Sequence, residues 1–422
     1  MVTTAEIYLW GERIGVVMWN EQRGYASFQY TPEFIDKGLE VSPIQMPLSD
    51  RIYSFPELSS QTFLGLPGLL AEALPDSFGR ALLDQWLAMN NRTQANPVER
   101  LCYQGKRSMG ALEFVPTRDR ILDESTAIEV ANLVKVASEV LSNREKLQTN
   151  MGQPTEALLD ILRVGTSAGG QRAKAVIAYN DETKEVRSGQ LDAPEGFDYW
   201  LLKLDGVTNS QLGDPQHYGE IEYVYYLMAK LAGIDMTECR LLHENNRAHF
   251  MTRRFDRQNS EKVHMQTLCG LTHSDYNVRN SCSYEQAFAY MRQLYLPYPQ
   301  AEEFFRRMVF NVVACNQDDH TKNISFLMDK TGKWSLSPAY DMSWAYNSNG
   351  IWTQTHQMSI RGKRKDITRE DLLEVARQMN IKHANEWIDQ VVEAVRQWQL
   401  LASQYPIPPD IIEYIQSTHV YL

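Results

Sequence analysis

A short polar segment carries residue types that suit phosphoryl transfer. Asp318 and Asn323 stand in the spacing Asp-x-x-x-x-Asn, and Asp341 follows farther along the chain. In that chemistry one aspartate accepts the proton of the attacking hydroxyl, while an asparagine and a second aspartate hold the Mg²⁺ that bridges the ATP phosphates. Mg²⁺ takes one or two carboxylate or carbonyl oxygens from protein. The pattern therefore indicates one candidate base, Asp318, and two candidate metal ligands, Asn323 and Asp341.

The flanking segments predict how these three residues come together. A helix is expected before the polar loop, because six apolar residues share one face: Phe304, Phe305, Met308, Val309, Val312 and Val313. Strands predicted at 324–328 and 333–336 form a hairpin centred near Gly332. Asn323 and Asp341 are about equidistant from that turn, so the hairpin brings Asp341 back toward Asn323. A capping aspartate and a surface hairpin are the alternative interpretation.

A lysine on a strand could hold phosphates. Lys203 lies in the apolar strand predicted at 199–204. A buried ammonium is costly unless it is paired, and Glu222, early in the next predicted helix, is the natural partner for an ion pair. A lysine on the solvated face of an edge strand is the alternative.

A turn of small residues precedes the strand predicted at 173–179. It spans 165–174 and contains Gly169, Gly170 and, at its end, Lys174. The backbone N–H groups of such a turn can approach an anion closely, and Lys174 adds positive charge. The turn is not a Walker A sequence, which requires GxxxxGK[ST] at the start of a helix.

The hydrophobic pattern divides the chain into three parts. A hairpin over 7–17, a strand over 25–30 and a helix capped by Asp76 predict a small α/β module at 1–120. A β-rich region at 121–255 follows, and then a mostly helical region at 256–422, in which helices prevail from about Tyr284 onward and one hairpin interrupts them. Its final long helix carries Trp387, Val391, Val395 and Trp398. A β-rich and a helical lobe commonly leave a cleft for a nucleotide.

Composition restricts the class of protein. The 422 residues are 43% hydrophobic, with a formal net charge of -11, which opposes nucleic-acid binding over the whole surface. Five dispersed cysteines without CxxC spacing predict reduced thiols: Cys102, Cys239, Cys269, Cys282 and Cys315. No signal-peptide pattern and no apolar run of membrane-spanning length is present, so a cytoplasmic location is expected.

Several motifs together resemble the HipA family of toxin kinases over nearly the whole chain. The motifs that carry the resemblance are the N-terminal hairpin, the Ala-Leu-Pro-Asp segment within 69–80, Ser-Ala-Gly-Gly-Gln-Arg-Ala-Lys at 167–174, Leu-Leu-Lys-Leu at 201–204, Arg-Phe-Asp-Arg at 254–257, Asp-Asp-His-Thr-Lys-Asn at 318–323, Tyr-Asp at 340–341, and Met-Ser-Ile-Arg-Gly-Lys at 358–363. The 318–323 and 167–174 segments are the specific ones.

The resemblance implies an α+β, two-lobed protein-kinase-like fold with a small N-terminal α/β module and a mostly helical C-terminal lobe. It implies a Ser/Thr protein kinase that uses ATP and Mg²⁺, with Asp318 as base, Asn323 and Asp341 on the metal, and Lys203 on the phosphates. Ser167 sits at the family's autophosphorylation position, whose modification expels the loop and inactivates the enzyme. The ATP site would be lined by Gly169, Gly170, Lys174, Phe255, His320 and Tyr340.

The resemblance also implies partners. Family members pair with a small helix-turn-helix antitoxin of HipB type, and several phosphorylate aminoacyl-tRNA synthetases. The basic run 361–365 could contact DNA within such a complex, or it is a solvated loop. Where some members carry Glu before the Arg-Phe-Asp-Arg motif, this chain has Arg253, which bears on nucleotide preference. A small-molecule kinase with the same Asp/Asn/Asp set and a non-catalytic co-repressor are the competing functions.

Overall fold

The computed structural model describes residues 2–90, 92, 94–118, 127–142, 156–165, 173–205, 207, 217–258 and 261–422. The chain divides into two compact units. The first unit comprises Met1–Asp214, Leu242–Gln266 and Lys330–Gly332, and the second comprises Pro215–Leu241, Thr267–Asp329 and Lys333–Leu422. In the described part of the chain, no helix is both long and apolar enough to cross a membrane.

The first unit combines antiparallel sheets with helices. Its elements in chain order are β1 (Thr4–Leu9), β2 (Glu12–Asn20), β3 (Tyr25–Tyr30), α1 (Pro32–Ile35), α2 (Gly68–Ala71), α3 (Ser77–Met89), α4 (Pro97–Gln104), β4 (Leu112–Val115), α5 (Val130–Ser142), α6 (Glu156–Gly165), β5 (Lys174–Asn180), β6 (Val186–Ser188) and β7 (Phe197–Lys203). The chain then contributes α7 (Tyr218–Leu231) to the second unit, and the boundary between the units falls in β8 (Cys239–Glu244). The first unit resumes with β9 (Arg247–Arg253), β10 (Arg257–Gln258), β11 (Glu261–Lys262) and β12 (His264–Thr267), whose last residue belongs to the second unit.

Two sheets organise the first unit. One has the strand order β3-β2-β1-β4, and the other has the order β6-β5-β7-β9-β8. The hairpin and the strand predicted near the N-terminus are confirmed as β1, β2 and β3, and Gly11 takes the positive φ of +84° that the tight turn requires. Asp76 caps α3 as expected, because its side chain accepts a hydrogen bond from Gly79 N at 2.7 Å.

The core beside the second sheet joins helices from the middle of the unit to its strands. The side chains of Leu82, Leu133 and Ile161, on α3, α5 and α6, are fully buried with Ile177 of β5 and Trp200 of β7. Burying a large apolar side chain contributes about 1.5–3 kcal/mol, so this cluster fixes β5 and β7 against the helices. Strand β5 begins at Lys174 and β7 ends at Lys203, the two lysines that the sequence singled out.

The second unit is mostly helical. Its further elements are α8 (Leu268–Thr272), α9 (Tyr284–Gln293), α10 (Tyr298–Val313), β13 (Ser325–Met328), β14 (Trp334–Leu336), α11 (Arg369–Met379), α12 (Ala384–Arg396), α13 (Trp398–Ala402) and α14 (Pro409–Thr418). The predicted helix start near Tyr284 is confirmed and explained by a capping box, in which Ser283 and Gln286 exchange hydrogen bonds. The hairpin is confirmed, but residues 337–368 add a long segment outside regular helices.

The single final helix predicted through Trp398 is wrong at its end. Helix α12 ends at Arg396, and Trp398 begins the separate helix α13. The indole N–H of Trp398 donates to the backbone oxygen of Ile412 in α14 at 3.0 Å, and the ring is fully buried. Val391, Val395 and Trp398 are all buried, so the apolar spacing continues across the break and does not reveal where the first helix ends.

Candidate active site

The loop at 315–323, after α10, is the predicted catalytic loop. It folds back on itself and brings Asp318 beside Asn323. The Nδ2 group of Asn323 donates to the backbone oxygen of Asp318 at 2.9 Å, and His320 N donates to the same oxygen at 2.9 Å. The Asp318 side chain is 48% exposed, with the Nε2 atom of His320 3.8 Å from its Oδ1. An exposed carboxylate on a hydrogen-bonded loop can accept a proton from an incoming hydroxyl.

The hairpin returns Asp341 to the same region of the second unit. The pairs Phe326–Leu336 and Met328–Trp334 define its register, and Ser337 N extends it by donating to Ser325 O at 2.9 Å. Asn323 and Asp341 line one small pocket of the second unit, together with His320 and Tyr340. The structure therefore brings these predicted residues together.

Tyr340 ties the chain before Asp341 to the catalytic loop. Its hydroxyl donates to the backbone oxygen of Lys322 at 2.6 Å and also contacts the Ser325 hydroxyl. Asp341 itself has a φ of +55°, in the left-handed region that aspartate tolerates better than most residues. The hydrogen bonds of Tyr340 hold the residue directly before this left-handed position, and they therefore help to position the Asp341 carboxylate.

Sequence reasoning missed the role of Asp319, which is buried next to the exposed Asp318. Its Oδ2 accepts from the Tyr284 hydroxyl at 2.8 Å and contacts His356 Nδ1 at 3.0 Å, and its Oδ1 accepts from Gln357 N at 2.7 Å. Burial tends to raise the pKa of Asp319, but the neighbouring His356 and these hydrogen bonds outweigh it and lower that pKa. Asp319 thus anchors the catalytic loop to the segment at 356–357. The sequence signal that could have pointed to this role is the presence of two consecutive aspartates, Asp318 and Asp319.

In the first unit, Lys174 and Lys203 are direct cross-strand partners on β5 and β7, and both are buried. Directly opposed residues lie on the same face of a sheet, where two like charges repel each other. The Nζ atom of Lys203 also lies 5.6 Å from the ring centre of Phe250. The phosphate-binding role of both lysines stays a prediction.

The Arg-Phe-Asp-Arg motif holds the end of β9. Asp256 is buried, accepts two hydrogen bonds from Arg254 at 2.9 and 2.7 Å, one from Arg257 at 2.9 Å and one from Gly110 N at 2.8 Å. Phe255, half-buried between these residues, is held by a charged network that also fastens the loop before β4. Arg253 is exposed and forms an ion pair with Asp198, and its bearing on nucleotide preference stays a prediction.

Some predicted site residues lie outside the described residues or remain untested. Ser167, Gly169 and Gly170 belong to the part of the chain that the structure does not describe. Glu222 is buried on α7 in the second unit, and its ion pair with Lys203 of the first unit stays a prediction. The five cysteines are all buried and free of disulfides, as expected.

The donor set at the pocket suits Mg²⁺. The Nδ2 group of Asn323 is used within the loop, which leaves its carbonyl oxygen, beside the Asp341 carboxylate, for a hard cation. Over the described ranges, no cluster of three or more His, Cys, Asp or Glu side chains could hold a metal on its own. Two oxygen ligands are what Mg²⁺ uses when water and phosphates complete its octahedron.

Comparisons with known proteins identify the family. The HipA-like C-terminal domain matches residues 166–399, and the HipA N-terminal domain matches residues 5–115. The putative kinase Y4mE of Sinorhizobium fredii is 22% identical over 79% of this chain and 75% of its own. The serine/threonine-protein kinase toxin HipA of Shewanella oneidensis is 21% identical over 80% of this chain and 74% of its own. A solved complex of HipA, HipB and operator DNA from Shewanella oneidensis MR-1 contains a chain that matches with a TM-score of 0.67 at 18% identity, covering 98% of this chain and 95% of that one, and shares its mixed α+β fold. The first of the two domain matches spans more than half of the sequence, so the chain belongs to the HipA family.

Proposed function

We propose that this HipA-type serine/threonine protein kinase transfers the γ-phosphoryl group of ATP to a hydroxyl of another protein, with Asp318 as the base. The supporting observation is the convergence of Asn323 and Asp341 on one pocket, while Asn323 also holds the Asp318 backbone. A base and two oxygen ligands from one loop and one hairpin are the arrangement that phosphoryl transfer requires.

Each residue has a distinct part in this mechanism. Asp318 accepts the proton of the acceptor hydroxyl, and Asn323 keeps the Asp318 backbone in place through its 2.9 Å hydrogen bond. Asn323 and Asp341 would hold Mg²⁺, which neutralises charge on the phosphates when bound. Lys174 and Lys203 would bind ATP phosphates, because their opposed positions concentrate positive charge at the ends of β5 and β7.

The proposal includes partners and self-regulation. The similar structure holds HipA together with HipB and operator DNA, which supports a helix-turn-helix antitoxin as partner and contact with DNA through that complex. An aminoacyl-tRNA synthetase is the proposed protein substrate. Ser167 is the proposed autophosphorylation site, since a phosphate in the turn 165–174 would repel the phosphates of ATP.

The experiment that tests the proposed base is Asp318→Asn, assayed by intact-mass spectrometry of protein incubated with Mg-ATP, alone and with candidate synthetases. The rate of phosphate incorporation should fall by about 10²–10⁴, the usual contribution of a general base. The fold should persist, because the side chain is half exposed and its backbone makes the loop contacts.

The matched control is Asp389→Asn on α12, which removes an exposed carboxylate that is ion-paired with Arg369 at 2.8 Å. Exposed ion pairs contribute about 0–1 kcal/mol, so this variant should keep its activity. Near-normal phosphate incorporation by Asp318→Asn would contradict the role assigned to Asp318.

A further inference from the structure

Two arginines are fastened to one segment of the second unit. The Nη1 group of Arg279 donates to Ile351 O at 3.1 Å, and the Nε group of Arg364 donates to His356 O at 2.6 Å. Burial lowers the pKa of Arg364, and the positive charge of Arg279 lowers it further, in keeping with the two hydrogen bonds that bring both guanidiniums to this segment. Both positive charges are therefore held beside the backbone of residues 351–356.

The positive charges of Arg361 and Lys363, near Arg364 in the sequence, are balanced by a carboxylate, whereas Arg279 and Arg364 have no such ion pair among the described residues. Arg361 and Lys363 form ion pairs with Asp371 at 3.3 and 2.8 Å. Across the described ranges, neither Arg279 nor Arg364 forms an ion pair, and the Nη2 atom of Arg364 is buried without a hydrogen-bond partner there.

The nearby Asp319 carboxylate does not serve as their partner. It attracts Arg364 electrostatically, but its oxygens already interact with Tyr284, His356 and Gln357. Placing two guanidiniums together without an anion is unfavourable, and a bound carboxylate would remove that cost.

The chain segments that carry the two arginines contact the catalytic loop. The loop that contains Arg279 contacts the catalytic loop where Thr321 Oγ1 donates to Ser274 O at 2.8 Å. The segment that precedes Arg364 is bound by Asp319 through Gln357 N. When the acceptor hydroxyl of a substrate reaches Asp318, the substrate residues next to that hydroxyl therefore come close to the segments that contain Arg279 and Arg364.

We propose that Arg279 and Arg364 bind an acidic side chain of the protein substrate, close in sequence to the hydroxyl that is phosphorylated. The site deepens the proposed kinase function, on which it rests, by assigning a substrate preference. The adjoining Ile351 and Trp352 are 68% and 43% exposed, and such apolar side chains suit a peptide. Two arginines on a chain of net charge -11 provide little for a nucleic acid, which needs many cationic contacts.

The test uses the full chain and two fluorescein-labelled serine peptides that differ only in flanking residues, glutamate or glutamine. Anisotropy titrations should show the glutamate peptide binding about tenfold more tightly, the usual effect of one charge-assisted hydrogen-bond pair. Arg279→Glu should abolish or invert that preference, and Arg279→Lys should keep part of it. The Arg279 side chain is exposed and donates to the backbone oxygen of Ile351, so the substitutions spare the fold.

Arg396→Ala on α12 is the matched control, because it removes an exposed arginine that lies within the same unit but belongs to another element. Equal affinities of the wild-type chain for the two peptides, or a preference that survives Arg279→Glu, would overturn the proposal. So would tighter binding of a single-stranded RNA oligonucleotide that Arg279→Glu abolishes. Phosphate incorporation into the same peptides with Mg-ATP is measured separately. If no phosphate is incorporated but the preference for the glutamate peptide remains, the kinase function is contradicted and the acidic-residue site is still supported.

Discussion

Removing the Asp319 carboxylate should release the catalytic loop from its anchor. In Asp319→Ala, the Gln357 N–H and the His356 ring lose their partner, and the Tyr284 hydroxyl keeps only the hydrogen bond from Asn311 at 3.0 Å. Each unsatisfied buried group costs about 1–3 kcal/mol. The expected loss of stability is about 3–5 kcal/mol, which is also typical of breaking a buried ion pair.

Asp319→Asn should cost less, about 1–2 kcal/mol, because the amide is isosteric and leaves fewer groups unpaired. Its carbonyl oxygen can still accept the Gln357 N–H, and its NH₂ group can donate to His356 when that ring is neutral. The two substitutions therefore separate the loss of charge from the loss of hydrogen bonding.

Hydrogen exchange measured by mass spectrometry is the suitable assay, because it reports local opening. The amides of His320 and Asn323, which bond within the loop, should exchange about a hundredfold faster in Asp319→Ala, since about 3 kcal/mol corresponds to two factors of ten. Asp371→Ala is the control: it removes another buried carboxylate of the second unit, at the start of α11, and should leave the loop unchanged. Unchanged loop exchange in Asp319→Ala would refute the anchoring role.

The remaining predictions concern the metal, acid stability and self-regulation. Asp341→Ala should lose most of the Mg²⁺-dependent gain in ATP affinity, measured by calorimetric titration with and without Mg²⁺; an unchanged gain would place the metal elsewhere. Burial tends to raise the pKa of Asp371, but hydrogen bonds from Lys363 and Thr368 lower it to about 2. Because this pKa is lowered in the folded chain, the ionised Asp371 stabilises the fold fully at pH values above the ordinary carboxyl pKa near 4, and that stabilisation is lost as the pH falls toward 2. Asp371→Asn should therefore lower the free energy of unfolding, measured with urea, by about 2–3 kcal/mol at pH 7 and by little at pH 2. Ser167→Ala should remain active during long incubation with Mg-ATP, provided that Thr166 does not take the phosphate in its place. Peptide mass spectra that show no phosphate on residues 165–174 of the wild-type chain would contradict autophosphorylation there.

The parts of the fold that the sequence predicts depend on local rules. The turn at Gly332 fixes which residues of the hairpin face each other, so counting outward from it was enough to bring Asp341 toward Asn323. Asp76 and Tyr284 mark helix starts because capping involves residues within one turn of each other. That Lys174 of β5 lies opposite Lys203 of β7 could not be predicted, because it depends on the register between the two strands, which the sequence of one strand does not specify.

What could not be predicted depends on residues distant in sequence. His356 and Gln357 lie in a segment without helical or strand periodicity, so no pattern relates them to Asp319. Arg279 and Arg364 likewise meet the segment at 351–356 only through hydrogen bonds to the backbone oxygens of Ile351 and His356. Irregular segments are positioned by individual hydrogen bonds and not by a repeating apolar face, which is why composition and spacing do not reveal their contacts.

Asp318 and Asp319 show how adjacent identical residues acquire opposite roles. The Asp318 carboxylate is about half exposed, whereas the Asp319 carboxylate is buried against Tyr284 and His356. Loss of phosphate transfer after substitution of either aspartate would therefore have different causes. In Asp318→Asn the proposed base is missing from an intact loop, whereas in Asp319→Ala the proposed base remains on a loop that has lost its anchor. Activity alone does not distinguish these cases, but exchange of the His320 amide does, because only the second substitution should accelerate it.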